Sequence, residues 1–185
     1  LTARMRRQTE VAIADADVIL LVIDARSGIT PLDKHFARWL RRIGQKIILV
    51  ANKCEGEVGS AGLLEAHQLG LGPAVPLSAE HGEGLALLYE EIAPEVDLAT
   101  AATEEAARGQ SLMLAVVGRP NVGKSTLVNA LLGKERLLTG PEPGVTRDAI
   151  TVRWTYKGQE FALIDTAGLR RRANITAKLE KLSVA

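Results

Sequence analysis

The chain has 185 residues, 46% of them hydrophobic and 24% charged, enough apolar material for one ordinary domain or for parts of two. Lys and Arg total 23 against 22 Asp and Glu, so the formal net charge of +1 gives no bulk electrostatic argument for nucleic acid or a membrane surface. A single cysteine, Cys54, excludes an internal disulfide framework and fits a reducing cytoplasm.

In chain order, residues 4–14 read as a helix with Met5, Thr9, Ala12 and Ile13 on one face. Residues 18–23 form a continuous β-branched and leucine run, typical of a buried parallel strand. That run is the longest apolar stretch and falls far short of the roughly 20 residues that span a bilayer, so no membrane association is expected. A loop at 27–31 leads into an amphipathic helix over 32–43, with Phe36, Trp39, Leu40 and Ile43 facing inward. A second buried strand covers 47–50, followed by a helix at 61–69, a short strand at 74–77 and a helix at 84–96. From 97 to 110 Ala, Thr and Glu dominate without an apolar period, which marks a linker with some helical character. A strand at 112–117 then precedes a glycine-bearing turn and a helix at 124–132. Strands at 149–156 and 160–164 flank Lys157-Gly158, a hairpin turn signal. Strands alternating with helices imply an α/β fold, a mainly parallel sheet flanked by helices. The chain starts at Leu1 and ends within a helical pattern, so it reads as a fragment.

Five motifs carry chemistry. Gly118-Arg119-Pro120-Asn121-Val122-Gly123-Lys124-Ser125 fits G-x-x-x-x-G-K-[ST], the phosphate loop of P-loop NTPases, set between a strand and a helix. There the backbone N–H groups of Asn121 to Thr126 and the helix N-terminus wrap phosphates. Lys124 reaches the β and γ phosphates, and the Ser125 hydroxyl ligates Mg²⁺. Thr146, in Pro143-Gly144-Val145-Thr146-Arg147-Asp148, lies between this loop and the next motif, where a threonine supplies a Mg²⁺ ligand and senses the γ phosphate. Asp165-Thr166-Ala167-Gly168 follows a strand, placing Asp165 to hold Mg²⁺ and the Gly168 N–H to bond the γ phosphate. Asn52-Lys53-Cys54-Glu55 and Ser78-Ala79 each follow a strand. The first is similar to the guanine-specificity motif, with the carboxylate of Glu55 one methylene longer than the usual aspartate. A carboxylate there accepts the paired N–H donors of guanine, which adenine does not offer. Together these motifs point to GTP and GDP. His35, His67 and His81 lack the spacing of a metal site.

The chain resembles the Der (EngA) family of bacterial GTPases, which have two tandem G domains and a C-terminal KH-like domain. Residues 5–10, 17–20 and Asp24-Ala25-Arg26 resemble the stretch after the magnesium motif of the first G domain; residues 118–126, 143–148, 165–172 and 178–185 resemble the opening of the second. The resemblance implies the back half of one G domain at 1–96, a linker at 97–111, and the front half of the next at 112–185. It also implies GTP hydrolysis, a cytoplasmic location, and a role in large ribosomal subunit assembly through ribosomal RNA. In related GTPases a phosphate-loop asparagine holds K⁺, and Asn121 matches it. Leu169 stands where Ras-like enzymes carry a water-orienting glutamine.

The guanine motifs precede the phosphate loop, the reverse of a conventional G domain, yet the inventory of elements makes about one G domain in permuted order. Two half-domains of a longer protein, or one circularly permuted GTPase, are both consistent with that order. The sheet at 112–164 is expected to dock on strands 18–23, 47–50 and 74–77, within one chain or by exchange between two as in domain swapping. A different class of function is a nucleotide-gated RNA- or ribosome-binding module with incidental turnover, in which Arg170-Arg171-Arg172 contacts ribosomal RNA or a partner domain.

Overall fold

The computed structural model describes residues 3–101, 111–133, 138–139 and 151–164. An apolar run with no polar face is satisfied only where both faces of a sheet are covered. β1 (Val18–Asp24) occupies such a place and is buried along its whole length. It pairs in parallel with β2 (Lys46–Asn52) on one side and with β4 (Leu112–Val117) on the other. β3 (Ala74–Leu77) extends β2 as an edge strand, where Pro76 is tolerated. β7 (Gln159–Ile164) extends β4 in parallel. β6 (Thr151–Tyr156) turns back against β7 through Lys157-Gly158, whose φ values of 48° and 83° are those of a tight hairpin turn. β5 (Leu138–Thr139) closes the other edge, giving one seven-stranded sheet in the order β3-β2-β1-β4-β7-β6-β5.

The strands on either side of the expected linker therefore belong to one sheet, joined at the β1–β4 seam. Alternation across that seam builds both cores. Val18, Leu20 and Val22 pack with Leu114 and Val116 under α4 (Leu85–Ala101) and α5 (Lys124–Leu131). Ile19, Leu21 and Ile23 pack with Ala115 and Val117 on the opposite face, under α1 (Ala3–Ala14) and α2 (Pro31–Leu40). Trp154 is 1% exposed, and its indole N–H donates to the Tyr89 hydroxyl at 3.1 Å, tying β6 to α4. Asp17 locks the register, its backbone N–H donating to the Met113 carbonyl at 2.9 Å and its carboxylate accepting from the Met113 N–H at 2.8 Å.

Several boundaries differ from the sequence reading. α2 begins with Pro31 behind a capping box of Thr30 and Asp33 and ends at Leu40, not 43, because residues 41–43 tighten into turns. Trp39 and Ile43 are consequently only partly buried. α3 (Gly56–Ala66) starts before residue 61 and is followed by a short 3-10 turn, His67–Leu69. Gly56 and Gly59 fall outside the helix expected at 61–69, and Gly62 within it is there for close packing: a Cβ would collide with the Ala25 backbone. α4 runs to Ala101, into the expected linker, as its Ala and Leu content favours.

Candidate functional site

In the strand order, the chain moves one way from β1 through β2 to β3 and the other way from β4 to β7, so the direction reverses between β1 and β4. The carboxyl ends of parallel strands at such a reversal form the usual ligand crevice of an open α/β sheet. Asp24 ends β1 and Asn52 ends β2, Ser78 follows β3, and the loop 118–123 follows β4.

The β4–α5 loop is shaped by left-handed backbone at Asn121 (φ 65°) and Gly123 (φ 95°), the residue types that tolerate it. Val122 between them is fully buried and anchors the loop. Lys124, Ser125 and Thr126 open α5, where unpaired backbone N–H groups and the helix dipole favour an anion. The Lys124 ammonium donates to the carbonyls of Gly118 at 2.9 Å and Arg119 at 2.7 Å, folded back over its own loop. Burial, and then the Arg119 guanidinium beside it, pushes the Lys124 pKa down. An approaching anion would relieve both effects.

Asn52 ties the motifs together. It is 3% exposed; its amide Nδ2 donates to the Val122 carbonyl at 2.8 Å, and its Oδ1 accepts from the Ala79 N–H at 2.9 Å. A Cβ on Gly123 would collide with that Nδ2, so only glycine allows the approach. Lys53 reaches the same loop, donating to the Asn121 carbonyl at 3.1 Å and to the Asp24 carboxylate at 2.6 Å. Glu55 precedes α3 and accepts from Arg26 Nη2 at 2.7 Å. Its other oxygen, Oε2, and the Ser78 hydroxyl are enclosed, and among the described residues neither makes a hydrogen bond of good geometry. A carboxylate so placed suits the paired N–H donors of a guanine edge. The Glu55 carboxyl is held below its ordinary range by its own backbone N–H, then by Ser78, Arg26 and His81, against an opposing effect of burial. Burial, then the Glu55 charge, pushes the Cys54 thiol up, so Cys54 stays protonated and needs no redox role.

Asp24 shows how the site is tensioned. Burial alone would raise its pKa, but the Lys53 ammonium and the Ser27 hydrogen bonds outweigh it and hold the carboxyl below its ordinary range. Its Oδ1 also accepts from the N–H groups of Arg26 at 3.0 Å and Ser27 at 3.3 Å. A depressed folded-state pKa stabilises the fold above the unfolded value and is lost as pH falls through the folded one. Asp24→Asn is therefore expected to flatten the acid limb below about pH 4. Urea denaturation at pH 3 and pH 7 measures it; an unchanged difference between the two would remove Asp24 from the linkage.

The structure thus brings Asn52, Lys53 and Ala79 together with Asn121, Val122 and Gly123 within one chain; Glu55 and Ser78 lie in the same loops as the first three, and Lys124 opens α5 directly after the last. Ser125 and Thr126 lie in the first turn of α5. Thr146, Asp165, Gly168, Leu169 and residues 170–172 lie outside the described residues. His35, His67 and His81 are exposed. Sequence reasoning gave no role to Asp24, Arg26 or Asp33. Asp33 is fully buried, caps α2, and forms an ion pair with Arg119 of the loop at 3.4 Å. An aspartate ending an apolar strand was the available signal for Asp24; the other two depend on distant partners.

Among known proteins, the family described as "50S ribosome-binding GTPase" matches residues 2–53 and 113–184. The whole chain is 54% identical to "GTPase Der" of Parvibaculum lavamentivorans and 56% identical to that of Azorhizobium caulinodans. It spans 44% and 43% of those two proteins, less than half of the length of the curated relatives that it matches. Among solved structures, YjeQ from Thermotoga maritima superposes with a TM-score of 0.54 over 82% of this chain and 47% of that one, at 20% identity, a likeness of fold. Among the described residues no helix is long and apolar enough to cross a membrane.

Proposed function

The chain belongs to the 50S ribosome-binding GTPase family, and from that membership we propose that it binds GTP and GDP in one composite site and hydrolyses GTP there. The observation that carries this reading is the buried Asn52 amide, bonded at once to Val122 of the phosphate loop and to Ala79 beside Ser78. Glu55 and Ser78 would read the base, Lys53 would bridge base site and loop, and residues 121–126 would wrap the phosphates. Lys124 would leave the carbonyls of its own loop for the β and γ phosphates. Ser125, with Thr146 and Asp165, would hold Mg²⁺, which when bound neutralises phosphate charge. Asn121 would hold K⁺ by the family resemblance; its left-handed backbone is otherwise that of a turn residue.

In the reaction water attacks the γ phosphorus, the bond to the β–γ bridging oxygen breaks, and GDP and phosphate leave. Leu169 offers no hydrogen bond to orient that water, so the chain's own contribution is charge stabilisation by Lys124 and by the N–H of Gly168. Residues 1–96 and 112–185 would correspond to the back of one G domain and the front of the next, joined by the linker at 97–111. The seam between β1 and β4 could equally be closed by exchange between two copies. Large-subunit assembly is the role proposed for the longer protein, with residues 170–172 as a contact to ribosomal RNA.

Titration calorimetry of the chain with GDP, GTP, ADP and ATP tests the reading. Guanine nucleotides are expected to bind at least about 100-fold more tightly, because a carboxylate left without its N–H donors penalises adenine. Equal affinities would sink it.

A further inference from the structure

Glu55 poses a problem of geometry. A glutamate has one more rotatable bond than an aspartate, so its carboxylate is ordered at a greater cost in side-chain entropy. It stands at the N-cap of α3 but makes no capping hydrogen bond, so the helix does not hold it. Arg26 ties down one of its oxygens, with Nη2 2.7 Å from Oε1, while Oε2 is enclosed.

Arg26 is itself well anchored. It sits in a 3-10 turn, Ala25–Ser27, whose N–H groups are bonded to the Asp24 carboxylate. The turn is pressed against α3 at Gly62, where even a Cβ would not fit against the Ala25 backbone. The guanidinium thus projects from a fixed backbone to one carboxylate oxygen, Oε1, and does not engage the enclosed Oε2.

We propose that Arg26 is a specificity-positioning residue for guanine: by pinning Oε1 of Glu55 it presents Oε2 to the N–H donors of the base and so lets a glutamate serve in place of an aspartate. The inference rests on the composite guanine site above. Arg26 touches no nucleotide atom in this scheme; it acts through Glu55.

Displacement of a fluorescent GDP from the full chain by GDP, IDP and ADP tests it. Arg26→Ala is expected to weaken GDP about fivefold to tenfold, the range of a partly exposed, charge-assisted pair. ADP should change less than about twofold, because it does not use the carboxylate. IDP, which lacks the 2-amino donor, should lose less than GDP. Arg26→Lys should recover part of the loss. In a Glu55→Asp background, where the shorter carboxylate no longer reaches the guanidinium, Arg26→Ala should have little effect on GDP. An equal loss for GDP and ADP, or the same loss with Glu55→Asp, would reduce Arg26 to a structural residue and overturn the proposal. A gain in GDP affinity would overturn it too, by making Arg26 a competitor of the base. A wild-type chain without guanine preference overturns the composite site and this inference together; a guanine preference that survives Arg26→Ala intact overturns this inference alone.

Discussion

Lys124→Ala is expected to lower the affinity for GDP and GTP by roughly 100-fold to 1,000-fold, the loss of two charge-assisted hydrogen bonds to phosphate. Among the described residues the Lys124 ammonium bonds only to carbonyls of its own loop, Gly118 and Arg119, and burial together with Arg119 depresses its pKa. Those conditions make the free site electrostatically short of an anion. Arg119 cannot substitute, since its guanidinium is turned toward the buried Asp33 carboxylate at 3.4 Å. The fold should survive, because the contacts removed are to loop carbonyls at the rim and not to either core. Calorimetry with GDP, accompanied by thermal unfolding of the free protein, separates the two effects. Wild-type affinity in a folded variant would show that residues 118–125 are not the phosphate site.

Asn52→Ala is expected to damage stability and binding together. Two buried groups lose their partners at once, the Val122 carbonyl and the Ala79 N–H, and each orphaned group costs about 1–3 kcal/mol. Against a domain stability of about 5–15 kcal/mol, a loss of this size is severe. A fall in Tm of about 5–15 °C follows from the usual scaling for a chain of this length. Asn52→Asp separates the two bonds: the acceptor for Ala79 remains, while a carboxylate now faces the Val122 carbonyl and repels it. It should unfold as early as Asn52→Ala. Wild-type Tm values in both variants would mean that the segments carrying Asn52 and Val122 are not docked in solution, and the composite site would fall with them.

By itself the sequence determined whatever is local. The phosphate loop was legible because its glycines, lysine and serine must lie within one strand–turn–helix, and 118–125 satisfies that without reference to any other part of the chain. The buried strands 18–23, 47–50 and 112–117 were legible because an apolar run with no polar face leaves only one environment, and the Lys157-Gly158 hairpin because few residue pairs accept two left-handed conformations. Element ends were less so. Gly56 and Gly59 fell outside the helix read at 61–69, and the reason for Gly62 within it, the nearby Ala25 backbone, belongs to another element. The two residues of β5 carry no periodicity to read. What only the tertiary structure decided was non-local pairing. β1 can take β4 as a neighbour only because Val18 to Leu21 match Leu114 to Val117 in register and alternate into both cores. No local pattern says which of several apolar strands lies beside which. The same holds for side chains: Asp24 meets Lys53, and Arg26 meets Glu55, each across 29 residues of chain, while Asn52 meets Val122 across 70. Hydrogen bonds and ion pairs depend on distances in space, and those are set when the sheet closes at the β1–β4 seam.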